Sequence, residues 1–328
     1  MFCYWPPLLQ DSTKLANFDY MIIRKFLLLV PATLLLGACA RAVKEPPVIP
    51  PPAVIVTPGV KRAYTEGEVL KYTLALEHSM SGADAATAVS SATATVKKRA
   101  DGVFYEVWQW TAVRKNGREI RLPPESRDFR QLLSLDPGFK LAIPELSKIY
   151  AIAEPITDTL TFYSDLQLAA RTGLPLKAGE HVFVEHGLPS SWAGGATVLG
   201  RDCVNFDLTV TEVNAAENYA VLKALRVPPA QGCGAAPAAW LEKPVSDTPN
   251  NWYQVRKEGK STYIAGAATE TFDDEIKLSL SDGHIISATQ LNRVSGETRT
   301  CTDEPLTKCN APGKFSIVRK LLLLQDPQ

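Results

Sequence analysis

Leu70-Lys71-Tyr72-Thr73-Leu74-Ala75-Leu76-Glu77 alternates apolar with polar or small side chains over its whole length. That period of two marks a strand with one buried face, because successive side chains leave a β-strand on opposite sides. The same alternation returns at Val204, Phe206, Leu208 and Val210, and again at Ile276, Leu278 and Leu280. Tyr219–Val227, Ile285–Val294 and Phe315–Leu324 read as further strands, and the last is expected at a sheet edge because it lies near the chain end. Ala88–Lys98 is a more weakly marked strand. Asp101-Gly102 after it predicts a type I′ hairpin turn, leading into Val103–Val113. In that strand Phe104, Trp108 and Trp110 share one face and Val103, Tyr105 and Val107 the other, so both faces are expected to be covered.

The pattern changes near residue 126. Ser126 predicts an N-cap for a helix over 127–135, and Pro144 suits the first turn of a second helix reaching Ala153. A third helix is expected over 158–171, with Leu160, Tyr163 and Leu166 on one side and Gly173 and Pro175 ending it. Gln231–Asn251 reads as a long loop. The expected fold class is therefore mainly β: a curved antiparallel sheet or half-barrel with a short helical insertion at about 126–172. One domain is expected over 60–328.

The N-terminus carries a different signal. Arg24 and Lys25 precede an apolar run from Phe26 to Leu36, and Leu36-Gly37-Ala38-Cys39 follows. The run is shorter than the roughly 20 residues of a membrane span, which makes it a secretory segment. This order resembles the signal peptide of bacterial lipoproteins, and Leu36–Cys39 matches the lipobox at every position. The resemblance implies cleavage after Ala38 and acylation of Cys39, so that the mature chain attaches to a membrane through its N-terminal acyl chains. Ala40, where an Asp would imply inner-membrane retention, implies the outer membrane, with the domain facing the periplasm. Residues 1–20 do not fit a signal peptide and are read as a leader upstream of a true start at Met21, with 21–38 the signal peptide. Residues 39–59, rich in proline from Pro46 to Pro58, read as a polyproline spacer from the lipid to the folded domain. The β-sheet with its helices is similar in architecture alone to periplasmic half-barrel lipoproteins, some of which are carriers.

Composition is consistent with export. The chain holds 35 Lys+Arg against 35 Asp+Glu, which leaves no basic footprint for nucleic acid. Beyond Cys3 and Cys39, four cysteines remain, at 203, 233, 301 and 309. Four cysteines allow three pairings. Cys301–Cys309 is favoured because it closes a short loop, and Cys203–Cys233 follows by elimination. A zinc site is disfavoured, since paired C-x-x-C spacing is absent.

Catalytic signatures are not found. There is no G-x-S-x-G, and Gly259-Lys260-Ser261 lacks the upstream glycine of a P-loop, Gln254 standing in its place. Glu180-His181 and Glu185-His186 place their histidines on opposite faces of a strand, which disfavours a metal site. Asp273-Asp274-Glu275 reads as a solvated strand start. Tyr163, Asp165 and Arg171 could face a ligand cavity, and Phe104, Trp108, Trp110 and Tyr163 are the candidate apolar wall of one. No catalytic residue, metal or cofactor is assigned. The expected function is a non-enzymatic, lipid-anchored envelope protein that binds a hydrophobic molecule or an envelope partner. The alternatives are an outer-membrane assembly scaffold and a hydrolase whose site assembles only in the fold.

Overall fold

The structure is a computed structural model and describes residues 58–185, 197–232 and 235–327. The alternating segments form β1 (Val69–Met80), β2 (Ala86–Lys98), β3 (Phe104–Lys115) and β4 (Arg118–Glu119), then β5 (Gln131–Leu133) and β6 (His181–Val184). After them come β7 (Thr197–Asp202), β8 (Asn205–Asn214), β9 (Tyr219–Val227) and β10 (Trp252–Glu258), and finally β11 (Thr262–Ser279), β12 (Ile285–Cys301) and β13 (Gly313–Gln325). Among the described residues all thirteen join one open antiparallel sheet, in the order β4-β3-β2-β1-β13-β12-β11-β9-β8-β6, with β5, β7 and β10 on side branches.

β13 is not an edge strand, as its position near the chain end suggested. It lies between β1 and β12, so the first and last long strands are neighbours. Nearness to a terminus says nothing about pairing, which is set by contacts far apart in sequence.

The register stacks the inward side chains in layers. One layer runs Val113, Ser90, Leu74, Leu323, Ala288, Ile276, Leu222, Val210 across eight strands, and every member is buried. The next runs Ala88, Leu76, Leu321, Gln290, Asp274, Ala224, Leu208, so polar side chains enter the interior. The third runs His78, Arg319, Asn292, Phe272, Arg226. The inner face thus grades from apolar to charged along the strands.

Against this face lies helix α2 (Ala153–Thr172), closed by Gly173 in the left-handed conformation. Residues 158–163 of α2 are buried without interruption. Six consecutive buried residues cover every side of a helix, so the middle of α2 is enclosed, while Glu154, Thr157, Ser164 and Leu168 are half-buried. Leu133, Leu135, Leu146, Ile149 and Ile152 share one apolar cluster with it and with the inner face of the sheet.

The helical insertion is otherwise shorter than expected. Helix α1 is only Pro124–Arg127, with Pro123 rather than Ser126 at its N-cap, and Pro144 precedes a single 3-10 turn, Leu146–Ile149. The N–H of Asp128 closes α1 on the Pro124 carbonyl. Residues 131–133 then pair with β3, because an available strand edge satisfies their backbone groups better than a short exposed helix does. The turn after β2 also differs from type I′. Arg99 and Val103 pair, and of residues 100–102 only Gly102 has positive φ, at 92°. This is the three-residue loop with a glycine bulge.

β11 divides its partners. Thr262–Ala268 pairs with β10 and Phe272–Ser279 with β9. At the gap, the Asn251 side chain donates to the Glu270 carbonyl at 2.9 Å and accepts from the Glu270 N–H at 2.8 Å. One amide side chain thereby replaces the missing strand backbone. Beyond this point β7 and β10, together with the Cys301–Cys309 hairpin, cover a second apolar cluster that includes Tyr253, Val255, Tyr263 and Leu306. At the other end of β11, the turn into β12 has Gly283 at φ 74°, and a Cβ there would lie 1.7 Å from the Lys61 carbonyl. Only glycine lets the incoming chain pass this close.

Candidate functional site

Two buried charged centres sit inside the sheet, both in contact with α2. The first is built on Arg62, just ahead of β1. Its guanidinium donates to Glu68 at 2.6 Å, to Glu106 at 3.4 Å and to the Asp282 carboxylate at 3.4 Å. The arginine and Glu106 side chains are each 1% exposed. Glu106 also accepts from the Trp108 indole N–H at 2.9 Å and from the Tyr163 hydroxyl. Burial opposes the charge on Arg62, but Glu106 and Glu68 outweigh it and hold the guanidinium above its usual range. Burial and the neighbouring Glu106 charge likewise keep Tyr163 and Tyr72 well above the usual phenol range, and both remain neutral donors.

Glu68, Asp282 and His284 converge closely enough to offer three ligand atoms to a cation. The Arg62 guanidinium already bridges Glu68 and Asp282, while the His284 ring nitrogens lie 2.7 Å from Asp282 and 2.8 Å from Gln325. The arrangement works as an ion-pair network with arginine as its cation.

The second centre is the polar layer on the inner face. Arg319 donates to Asp158 of α2 at 2.6 Å. Burial raises the Asp158 carboxyl to about 6 despite that arginine. Asn292 donates to Glu270 at 2.9 Å, and burial raises this carboxyl as well. His78 is lowered by burial and by Arg319, which favours its neutral form. Further across the same layer, Arg226 lies 3.7 Å from Asp165 of α2 and 3.7 Å from Asp274. Burial and the adjoining Asp165 push Asp274 well above the carboxylate range.

Trp108, Trp110 and Tyr163 come together as a packed aromatic group, whereas Phe104 is half-buried and pairs with Tyr64 instead. Trp108 stacks on Tyr72 at 4.5 Å and meets Tyr163 edge-on at 6.1 Å. The Trp110 N–H donates to Gln131 at 3.1 Å, and Phe104 stacks on Tyr64. Trp108 and Trp110 are both 0% exposed, so protein groups fill the face offered to a ligand. Of the cavity candidates Tyr163, Asp165 and Arg171, the first two enter different charged centres, while Arg171 donates to Gln167 near the end of α2. His181 is a surface residue beside Asp207 and Thr209. Gly259 lies in the hairpin turn between β10 and β11.

Cys301 and Cys309 are bonded, with sulfurs 1.98 Å apart. Cys203 is disulfide-bonded too, while Cys233, the partner expected for it, lies outside the described residues, as do Ala38, Cys39, His186 and Trp192.

Asp273-Asp274-Glu275 is not a solvated strand start. It lies in the middle of β11, and Asp274 is completely buried. Its parity with Ile276 and Leu278 carried that information: residues two and four along from Asp274 are core residues, so it must face inward with them. Arg226 stands in the same relation to Leu222 and Ala224, and Glu106 to Trp108 and Trp110.

The outer face offers a contrasting surface. Val89, Leu322 and Leu324 are 41%, 38% and 42% exposed. Register places them beside Ala75, Thr289, Thr73, Ser91 and Ser287. The result is an uncharged strip across β2, β1, β13 and β12. A shallow depression of about 420 Å³ lies apart from both centres, lined by Pro237, Trp240, Arg299 and Leu306, with Arg299 stacked on Trp240. No protein-family model matches the chain, and no curated protein matches its sequence.

Proposed function

We propose that this protein is a lipid-anchored envelope lipoprotein whose β-sheet domain acts without catalysis, as a scaffold that binds another envelope protein. The observation that carries this reading is the filled interior. In a carrier of this architecture the ligand lies between the sheet and the helix. Here Trp108, Trp110, Tyr163 and α2 occupy that space with stacked, hydrogen-bonded side chains. The uncharged outer strip around Leu322 and Leu324 supports a protein partner that presents an apolar, uncharged surface of its own. The Leu36–Cys39 lipobox and Ala40 support attachment at the outer membrane, facing the periplasm.

The test uses the full chain in a bacterium that processes lipoproteins, with a photo-crosslinking residue in place of Leu322. A discrete crosslinked envelope protein, lost on Leu324→Glu, is the expected outcome, together with loss of membrane attachment on Cys39→Ser. Solvent-extractable mass on the purified protein, with occupancy reduced by Trp108→Phe, would overturn the scaffold reading in favour of a carrier.

A further inference from the structure

Asp165 and Asp274 have fully buried side chains, and that of Arg226 is 8% exposed. Arg226 stands 3.7 Å from each carboxylate, well beyond the about 2.8 Å of a charge-assisted hydrogen bond, whereas Arg319, in the same layer of the sheet, reaches Asp158 at 2.6 Å. All four carboxylate oxygens of the two aspartates, and Nε and Nη2 of Arg226, lack a hydrogen-bond partner. Two ionised carboxylates facing one guanidinium leave a net negative charge sealed in the core. An uncompensated charge is strongly unfavourable to bury. A single proton removes the excess: one carboxyl becomes a donor to the other, and the remaining charge stands opposite Arg226.

We propose that Asp165 and Asp274 form a buried proton-binding site, holding one proton between their carboxyl groups at neutral pH. The groups facing the pair are Arg226 from β9 and Gln290 from β12. Arg319 on β13 shares the layer of Arg226 and is paired with Asp158 on α2, and Glu270 on β11 lies one layer further along. Helix α2 and strand β11 are therefore joined by a proton rather than by a salt bridge. The unfolded chain releases this proton near pH 4 and the native pair keeps it to higher pH. The contribution is thus complete at acid pH and is lost as pH rises through the native value.

Infrared spectra of the full-length chain at neutral pH test this directly. The parent is expected to show the carbonyl stretch of a neutral carboxylic acid that both Asp165→Asn and Asp274→Asn remove. Each amide keeps one donor in the pair, so folding is preserved. Between about pH 7 and about pH 8 the parent folding constant should also fall up to about tenfold more than that of Asp274→Asn, the signature of one extra bound proton. A parent with no neutral-acid band overturns the proposal without recourse to any variant. So does a band that survives both substitutions, which would belong to Asp158 or Glu270. A stoichiometric metal ion in the parent, lost in either variant, would show that a cation and not a proton neutralises the site.

Discussion

Arg62 and Arg226 are both arginines buried between two or more acids against the same helix, and they differ in how completely they are bonded. Arg62 reaches Glu68 at 2.6 Å, and its buried partner Glu106 is further satisfied by Trp108 and Tyr163. Arg226 approaches its two acids no closer than 3.7 Å, and six polar atoms of that trio lack partners. Burial sets the cost of a charge, but the completeness of its hydrogen bonds decides what the centre does. A fully bonded centre fixes geometry and resists titration. An incompletely bonded one has room for something more, and a proton is the smallest thing that fits.

The largest effect should come from Arg62→Leu. It leaves Glu106 buried without its cation and should cost about 3–5 kcal/mol, read from the denaturant midpoint. A loss below 1 kcal/mol would break the distinction between the centres. Arg319→Leu should cost about 3 kcal/mol at neutral pH and less at about pH 5, where Asp158 escapes its unpaired charge by taking a proton. The sign follows from the parent, where Asp158 titrates at about 6 against about 3.9 unfolded. Asp158 therefore favours the native state most below pH 4, and that contribution is gone above pH 6. A penalty for Arg319→Leu independent of pH would contradict this. Cys309→Ser opens the 301–309 loop, far from both centres, and should cost about 2–3 kcal/mol with the pH profile unchanged. Asp274→Asn should be the mildest, within about 1 kcal/mol of the parent at neutral pH, because an amide substitutes for the neutral acid. A loss comparable to that of Arg62→Leu would mean that Asp274 is ionised in the native state.

Much of the fold was legible because its signals are local. Alternation located β1, β8, β9 and both strands of the β11–β12 hairpin, and the Leu160–Tyr163–Leu166 spacing with Gly173 located α2. The short pieces 124–133 were not legible. Their structure is decided by the free edge of β3, which no local pattern announces. The place of β13 beside β1 was hidden for the same reason. The charged centres are a different case. Arg62 has no periodic neighbours to place it, but Glu106, Arg226 and Asp274 each lie in step with a run of core residues. Reading Asp273-Asp274-Glu275 as a solvated run weighed acidity over parity. In a strand, parity places Asp274 on the same side as Ile276 and Leu278.

The segment at Pro58–Ala63 has a mechanical consequence. Gly59 bridges Pro175, the Leu176 N–H bonds the Pro58 carbonyl at 2.7 Å, and the Ala63 N–H bonds Asp282 at 2.7 Å. Between these bonds the Arg62 side chain plunges into the interior beside Glu106. A domain tethered to a surface by its N-terminus carries every tug of that surface through these few residues. Such a pull would have to draw the forked guanidinium out of its socket before it could peel β1 from β13. Residues 58–63 are thus riveted to the body of the protein, and Arg62 is the rivet.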